Sequence, residues 1–202
     1  MWDAAGSRTS GTLEEVFGKG AKADEIFMGW NYARYINAVA EAGKKEYAIP
    51  MFVNAWIVQP EDKGPGDYPS GGPQDHMHDV WRAGAPLVDL LCPDIYLPDF
   101  AGIVARYGRS GNPLFVPESA GDTRGAANAF YAIGQHRAIG YSPFGIDNVA
   151  RLMGFGPDGA QPAGSQPPPD VETLPFSVAY KTLAQLATSI LEHQSKGTIA
   201  AA

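Results

Sequence analysis

Four short apolar runs punctuate the chain: Ile49 to Val53, Leu90 to Tyr96, Leu114 to Val116, and Ala138 to Phe144, its strand core at Gly140 to Phe144. Hydrophobicity that is continuous rather than alternating over so few residues predicts strands buried on both faces, as in a parallel sheet. Helical patterns lie between and around them. Asp24 can cap a helix over about Glu25 to Ala42, with Ile26, Trp30, Ala33 and Ala40 on one face and Gly43 plus two lysines at its end. Shorter helices are predicted near Asp75 to Ala83, Ala101 to Tyr107 and Gly125 to His136. A last one over Phe176 to Glu192 puts Phe176, Ala179, Leu183, Leu186 and Ile190 on an apolar stripe.

The order is one helix and then four βα units, with long Gly- and Pro-rich stretches after strands and short turns before them. In (β/α)8 barrels the chemistry sits on the loops that follow the strands, so insertions concentrate there. The expected fold class is therefore α/β, a partial TIM barrel. The expected organisation is one domain over residues 1–202: a loop segment at 1–23, then a half barrel at 24–202 with long loops at 57–74 and 152–174. A dinucleotide-binding sheet is disfavoured, because no GxGxxG turn follows any of the runs.

Composition narrows the partners. A formal charge of −7 argues against nucleic acid, since neutralising phosphates takes clustered Lys and Arg. A neutral or small polar substrate is the better expectation. The single cysteine, Cys92, lies in an apolar run and reads as core filling. His76, His78, His136 and His193 have no metal-ligand spacing, so no metal and no cofactor is expected. A GxSxG elbow is absent, as is any apolar run long enough to span a membrane, and no secretory signal pattern opens the chain. The opening residues, with no capped element and a Trp at position two, read as the interior of a longer protein.

Polar residues recur where the apolar runs hand over to loops: Asn54 with Trp56, Asp94 with Tyr96, Glu118, and Ser142 with Asp147. An active-site rim needs this arrangement. A carboxylate directly after a buried strand is costly to desolvate unless it is paired, hydrogen-bonded or used. Glu118 thus has two readings, a structural carboxylate held by a neighbour or a functional one. Tyr96 stands two residues beyond Asp94, on the same face of a regular strand, where its phenol could hold a carboxylate in position. Asp94 and Tyr96 could instead close the end of the sheet through backbone hydrogen bonds. Trp56 offers a flat platform for a sugar face, or it anchors its loop.

The segments "MWDAAGSRTSGTLEEVFG", "IPMFVNAWI", "PDIYLPDF", "NPLFVPESAGD" and "GYSPFGID", in this order, resemble the barrel of bacterial family 35 glycoside hydrolases, the β-galactosidase group of clan A. The resemblance runs along essentially the whole chain and is most specific at the Glu118 and "PDIY" segments. It implies strands five to eight of the barrel, with Glu118 the nucleophile of a retaining mechanism and Tyr96 the residue that orients it. It also implies Asn54, Trp56, Asp94 and Asp147 as contacts to a β-galactoside or related oligosaccharide. The family's acid/base lies in an Asn-Glu pair, and that dipeptide does not occur here. Low turnover by this chain alone follows, together with self-association through unpaired sheet edges. Two other readings remain: a non-catalytic carbohydrate-binding or interaction module, and a barrel aldolase or isomerase, which would need a lysine at a strand end.

Overall fold

The computed structural model describes residues 10–57, 63–109, 111–146 and 170–198, and the chain divides into two compact units, Met1–Pro93 and Asp94–Ala202. The first unit holds α1 (Leu13–Phe17), α2 (Ala21–Glu46), β1 (Phe52–Ala55), α3 (His78–Gly84) and the start of β2 (Leu90–Ile95). The second holds the end of β2, α4 (Phe100–Tyr107), β3 (Phe115–Val116), β4 (Glu118–Ser119), α5 (Thr123–His136), β5 (Gly140–Tyr141) and α6 (Pro175–Lys196). Single 3-10 turns occupy Asp75–Met77 and Val171–Thr173. None of the described helices is long and apolar enough to cross a membrane.

In the first unit β1 runs parallel to β2, with Phe52 opposite Leu90 and Ala55 opposite Pro93. The last two residues of β2 pair in parallel with β4 in the second unit, where β3 and β5 form a separate parallel pair. This corrects the expected fold class. Instead of a half TIM barrel of four βα units, the described residues show mixed α/β structure with five short strands in two small parallel sheets. Pro117 supplies part of the reason. It has no N–H to give a ladder, so the expected strand at Leu114 to Val116 is cut to β3, and a further dipeptide strand, β4, follows the proline with a different partner. Strand β5 likewise covers two residues of the run from Ala138 to Phe144.

Helices carry most of the packing. Ala33 of α2 gathers Met77, Trp81, Ala85 and Leu91 into a buried cluster, with Ile36, Val53, Val80 and Val88 against it. Small residues set the approach of α2 and α3, since a Cβ on Gly84 would lie 2.7 Å from that of Ala33. Trp81 is buried in this cluster, and its indole N–H donates to the Gly71 carbonyl at 2.9 Å. The expected apolar face of α2 is right at Ala33 and Ala40 but not at Trp30, which is exposed. Where a loop was expected, Thr12 and Glu15 form a capping box that starts α1.

In the second unit Phe100, Ile103, Val104 and Tyr107 of α4 are buried, as are Ala126, Ala129 and Ala132 of α5. Tyr141 stacks on Phe176 at 6.1 Å and meets Phe100 edge-on at 6.0 Å, fastening β5 to α4 and α6. The Tyr180 hydroxyl adds a hydrogen bond to the Tyr141 carbonyl at 2.7 Å. The stripe on α6 is buried through Leu183; beyond it Leu186 is exposed and Ile190 half-buried, so the second half of the helix contributes little to the core.

Candidate functional site

Glu118 is placed by backbone chemistry on both sides. Its strand pairs in register with the end of β2, Asp94 opposite Glu118 and Ile95 opposite Ser119. Parallel strands lie about 4.8 Å apart and partners in register project from the same face, so Asp94 and Glu118 share one side of the sheet. Ser119, fully buried, donates its hydroxyl to the Ser142 carbonyl at 3.0 Å and accepts the Phe144 N–H at 2.9 Å. The Ser142 N–H in turn donates to the Val116 carbonyl at 2.8 Å. These bonds fix the backbone around Glu118 while its side chain stays half-exposed.

Tyr96 directly follows β2, and its hydroxyl donates to Glu118 Oε1 at 2.7 Å. That length is typical of a neutral hydroxyl donating to a carboxylate, the stronger class of hydrogen bond. Burial, then the hydrogen bond and negative charge of Glu118, and then the charge of Asp94 push the Tyr96 phenol well above its ordinary value. The phenol therefore remains a donor at any ordinary pH. A carboxylate oxygen held this way leaves the second oxygen of Glu118 to act as a nucleophile or acceptor.

Of the residues singled out by sequence, Tyr96 and Glu118 are in contact and Asp94 stands in register beside them. Asn54 and Trp56 belong to the first unit: Asn54 lies in β1 opposite Cys92, and Trp56, 60% exposed, follows the strand. Asp147 lies outside the described residues. Cys92 is fully buried. Among the described residues no group of three or more His, Cys, Asp or Glu could hold a metal ion.

The histidines have separate surroundings. His78 is buried, and the His193 ring meets the Thr198 hydroxyl at 2.8 Å. His136 lies 5.2 Å from the Tyr131 ring, with burial pulling its basicity down. His76 joins a cluster that sequence reasoning missed. Glu25, buried on α2, is hydrogen-bonded by Tyr68 and His76 from positions 43 and 51 residues away. One signal was present, for Glu25 falls four residues before Gly29 and eight before Ala33, on the buried row of the helix.

A scan against protein-family models finds none that matches the chain, and a search of curated proteins likewise finds no match.

Proposed function

We propose that this chain carries the nucleophile of a retaining glycoside hydrolase of β-galactosidase type, with Glu118 attacking the anomeric carbon and Tyr96 holding it in place. The observation that carries the reading is the 2.7 Å hydrogen bond from the Tyr96 hydroxyl to Glu118 Oε1 at the end of a buried strand. The ordered motifs resembling family 35 enzymes support it from the sequence side.

In the first half-reaction a Glu118 oxygen forms a bond to the anomeric carbon as the bond to the leaving oxygen breaks, giving a glycosyl ester. Water then attacks the same carbon and releases Glu118. A retaining enzyme normally protonates the departing oxygen with a second carboxyl. The family's Asn-Glu pair is missing from this sequence, and general acid catalysis is worth about 10² to 10⁴ in rate. Ordinary alkyl galactosides should therefore turn over poorly.

A β-galactosyl fluoride bypasses that deficit in the first step, because fluoride departs without a proton, while in the second step the attacking water gives its proton to solvent. The purified chain should hydrolyse the fluoride with retention, and Glu118→Gln should abolish it. Hydrolysis unaffected by Glu118→Gln would remove the residue from the mechanism.

The 60% exposure of Trp56 favours a second reading, in which a sugar face stacks on the indole without turnover. Binding of galactosides lost in Trp56→Ala, with no fluoride hydrolysis at all, would select it.

A further inference from the structure

Glu25 is an unusual occupant of the buried face of α2, being only 4% exposed. A carboxylate there is costly unless its oxygens are hydrogen-bonded. Both are engaged: Tyr68 donates its hydroxyl to Oε1 at 3.1 Å, and His76 Nε2 meets Oε2 at 3.1 Å. The other ring nitrogen of His76, Nδ1, lies 3.7 Å from Asp75 Oδ1. A neutral imidazole has one N–H and one lone pair, so only the charged ring presents a donor to each carboxylate. Tyr68 packs edge-on against the same ring with centroids 6.5 Å apart.

Tyr68 and His76 belong to a segment, residues 64–76, that is tied to itself. The Gly64 N–H donates to Asp67 Oδ2 at 3.0 Å, the Gly66 N–H to the Ser70 hydroxyl at 2.8 Å, and the Gln74 side-chain amide to the Pro69 carbonyl at 3.1 Å. Gly71, in its middle, is held by the indole of Trp81 and lies close against Met28 and Gly29 of α2. Glu25 adds the polar fastening to α2 at Tyr68 and His76, on either side of Gly71.

We propose that Glu25, Tyr68 and His76 form a pH-responsive latch that holds residues 64–76 on α2, closed while His76 is charged and loosened when it is neutral. The groups facing His76 are Glu25 from α2, Asp75 from its own turn and the Tyr68 ring; Asp67 adds negative charge beside Tyr68. The Asp75 carboxylate beside the ring raises the imidazole's basicity, burial opposes it, and Glu25 raises it further, the net direction being upward. Burial and then Glu25 push the Tyr68 phenol up to about 12, so it stays a donor on both sides of the transition. Because the folded value of His76 is raised, the latch is fully closed below about pH 6.5, the ordinary histidine value, and weakens as pH rises through the folded value. A Cβ on Gly72 of this segment would lie 3.6 Å from that of Ala55, between Asn54 and Trp56, so the latch adjoins the strand that carries those two residues.

Amide hydrogen exchange read by mass spectrometry on the full chain tests this, at about pH 5.5 and about pH 8.5, either side of the histidine range, with intrinsic rates corrected. Protection of peptides within 64–74 should fall several-fold at the higher pH, with α6 as an unchanging reference. In His76→Gln, which carries no charge at either pH, protection should be low and pH-independent. Glu25→Gln, which removes the buried charge, should likewise lower protection and flatten the pH response; should it not fold, the His76 ring-proton NMR titration of the wild-type chain still decides, with a midpoint above ordinary histidine supporting the latch. Equal protection at both pH values, a pH response that survives His76→Gln, or an ordinary midpoint would overturn it.

Discussion

Replacing Tyr96 by Phe removes one hydroxyl and keeps the ring, so it isolates the hydrogen bond to Glu118. The bond is short, 2.7 Å, and ends on a carboxylate, a class worth about 1.5–3 kcal/mol net. Tyr96 is 46% exposed, so water partly replaces the lost donor, and the lower end of that range applies. About 1.4 kcal/mol is tenfold in rate. If Glu118 is the nucleophile proposed, the bond holds it rather than the sugar, so its loss should lower kcat for β-galactosyl fluoride about tenfold and leave KM unchanged. Steady-state kinetics of Tyr96→Phe beside wild type, with circular dichroism as a check on folding, make the measurement. A kcat within about twofold of wild type, or a loss confined to KM, would refute the role assigned to Tyr96.

Other consequences concern the scaffold. Gly84→Val should destabilise the first unit by about 1–3 kcal/mol in urea denaturation, because its Cβ would lie 2.7 Å from that of Ala33 and must push α3 off α2. Asp89 accepts from Lys44 at 2.6 Å and from the Met51 N–H at 2.7 Å, and these contacts, Lys44 first, lower its pKa. That contribution is present above the ordinary value of 3.8 and lost as pH falls through the lower folded value, so Asp89→Asn should cost about 0.5–1 kcal/mol near pH 7 and almost nothing in strong acid. Arg137 closes α5 in the left-handed region at φ 53°, where a side chain costs about 1–2 kcal/mol, while its guanidinium reaches the Gln194 carbonyl at 2.9 Å. Arg137→Gly should therefore be at least as stable as wild type by thermal melting, and Arg137→Ala, which keeps the strain and loses the bond, less stable.

What the sequence revealed depended on whether a feature is local. The apolar runs at Leu90 and Phe115 marked where strands form, since parallel strands buried on both faces need continuous hydrophobicity. Their lengths were not legible to the same degree, for a run such as Ala138 to Phe144 does not say how many of its residues find a ladder partner. Pro117, which ends one strand, and the Thr12 and Glu15 spacing that starts α1 are local features that the expected strand and loop passed over. Trp30 and Leu186 misled because helical spacing gives a face without saying whether a neighbour covers it. At the site, Glu118 and Tyr96 were two of several polar residues ending apolar runs, and strand-end position alone does not say which of them meet. The grip of Tyr68 and His76 on Glu25 joins residues more than forty positions apart, and no local pattern encodes which of several polar loop residues will reach a buried carboxylate.

The central claim, that Glu118 is the nucleophile, is tested most directly by trapping. A 2-deoxy-2-fluoro-β-galactosyl fluoride has a leaving group that needs no acid and a ring substituent that slows release of the glycosyl ester. Incubation followed by intact-mass and peptide-mapping mass spectrometry should show one fluorogalactosyl adduct, on Glu118, absent from Glu118→Gln. An adduct on another carboxylate such as Asp94, or the same labelling in Glu118→Gln, would contradict the account.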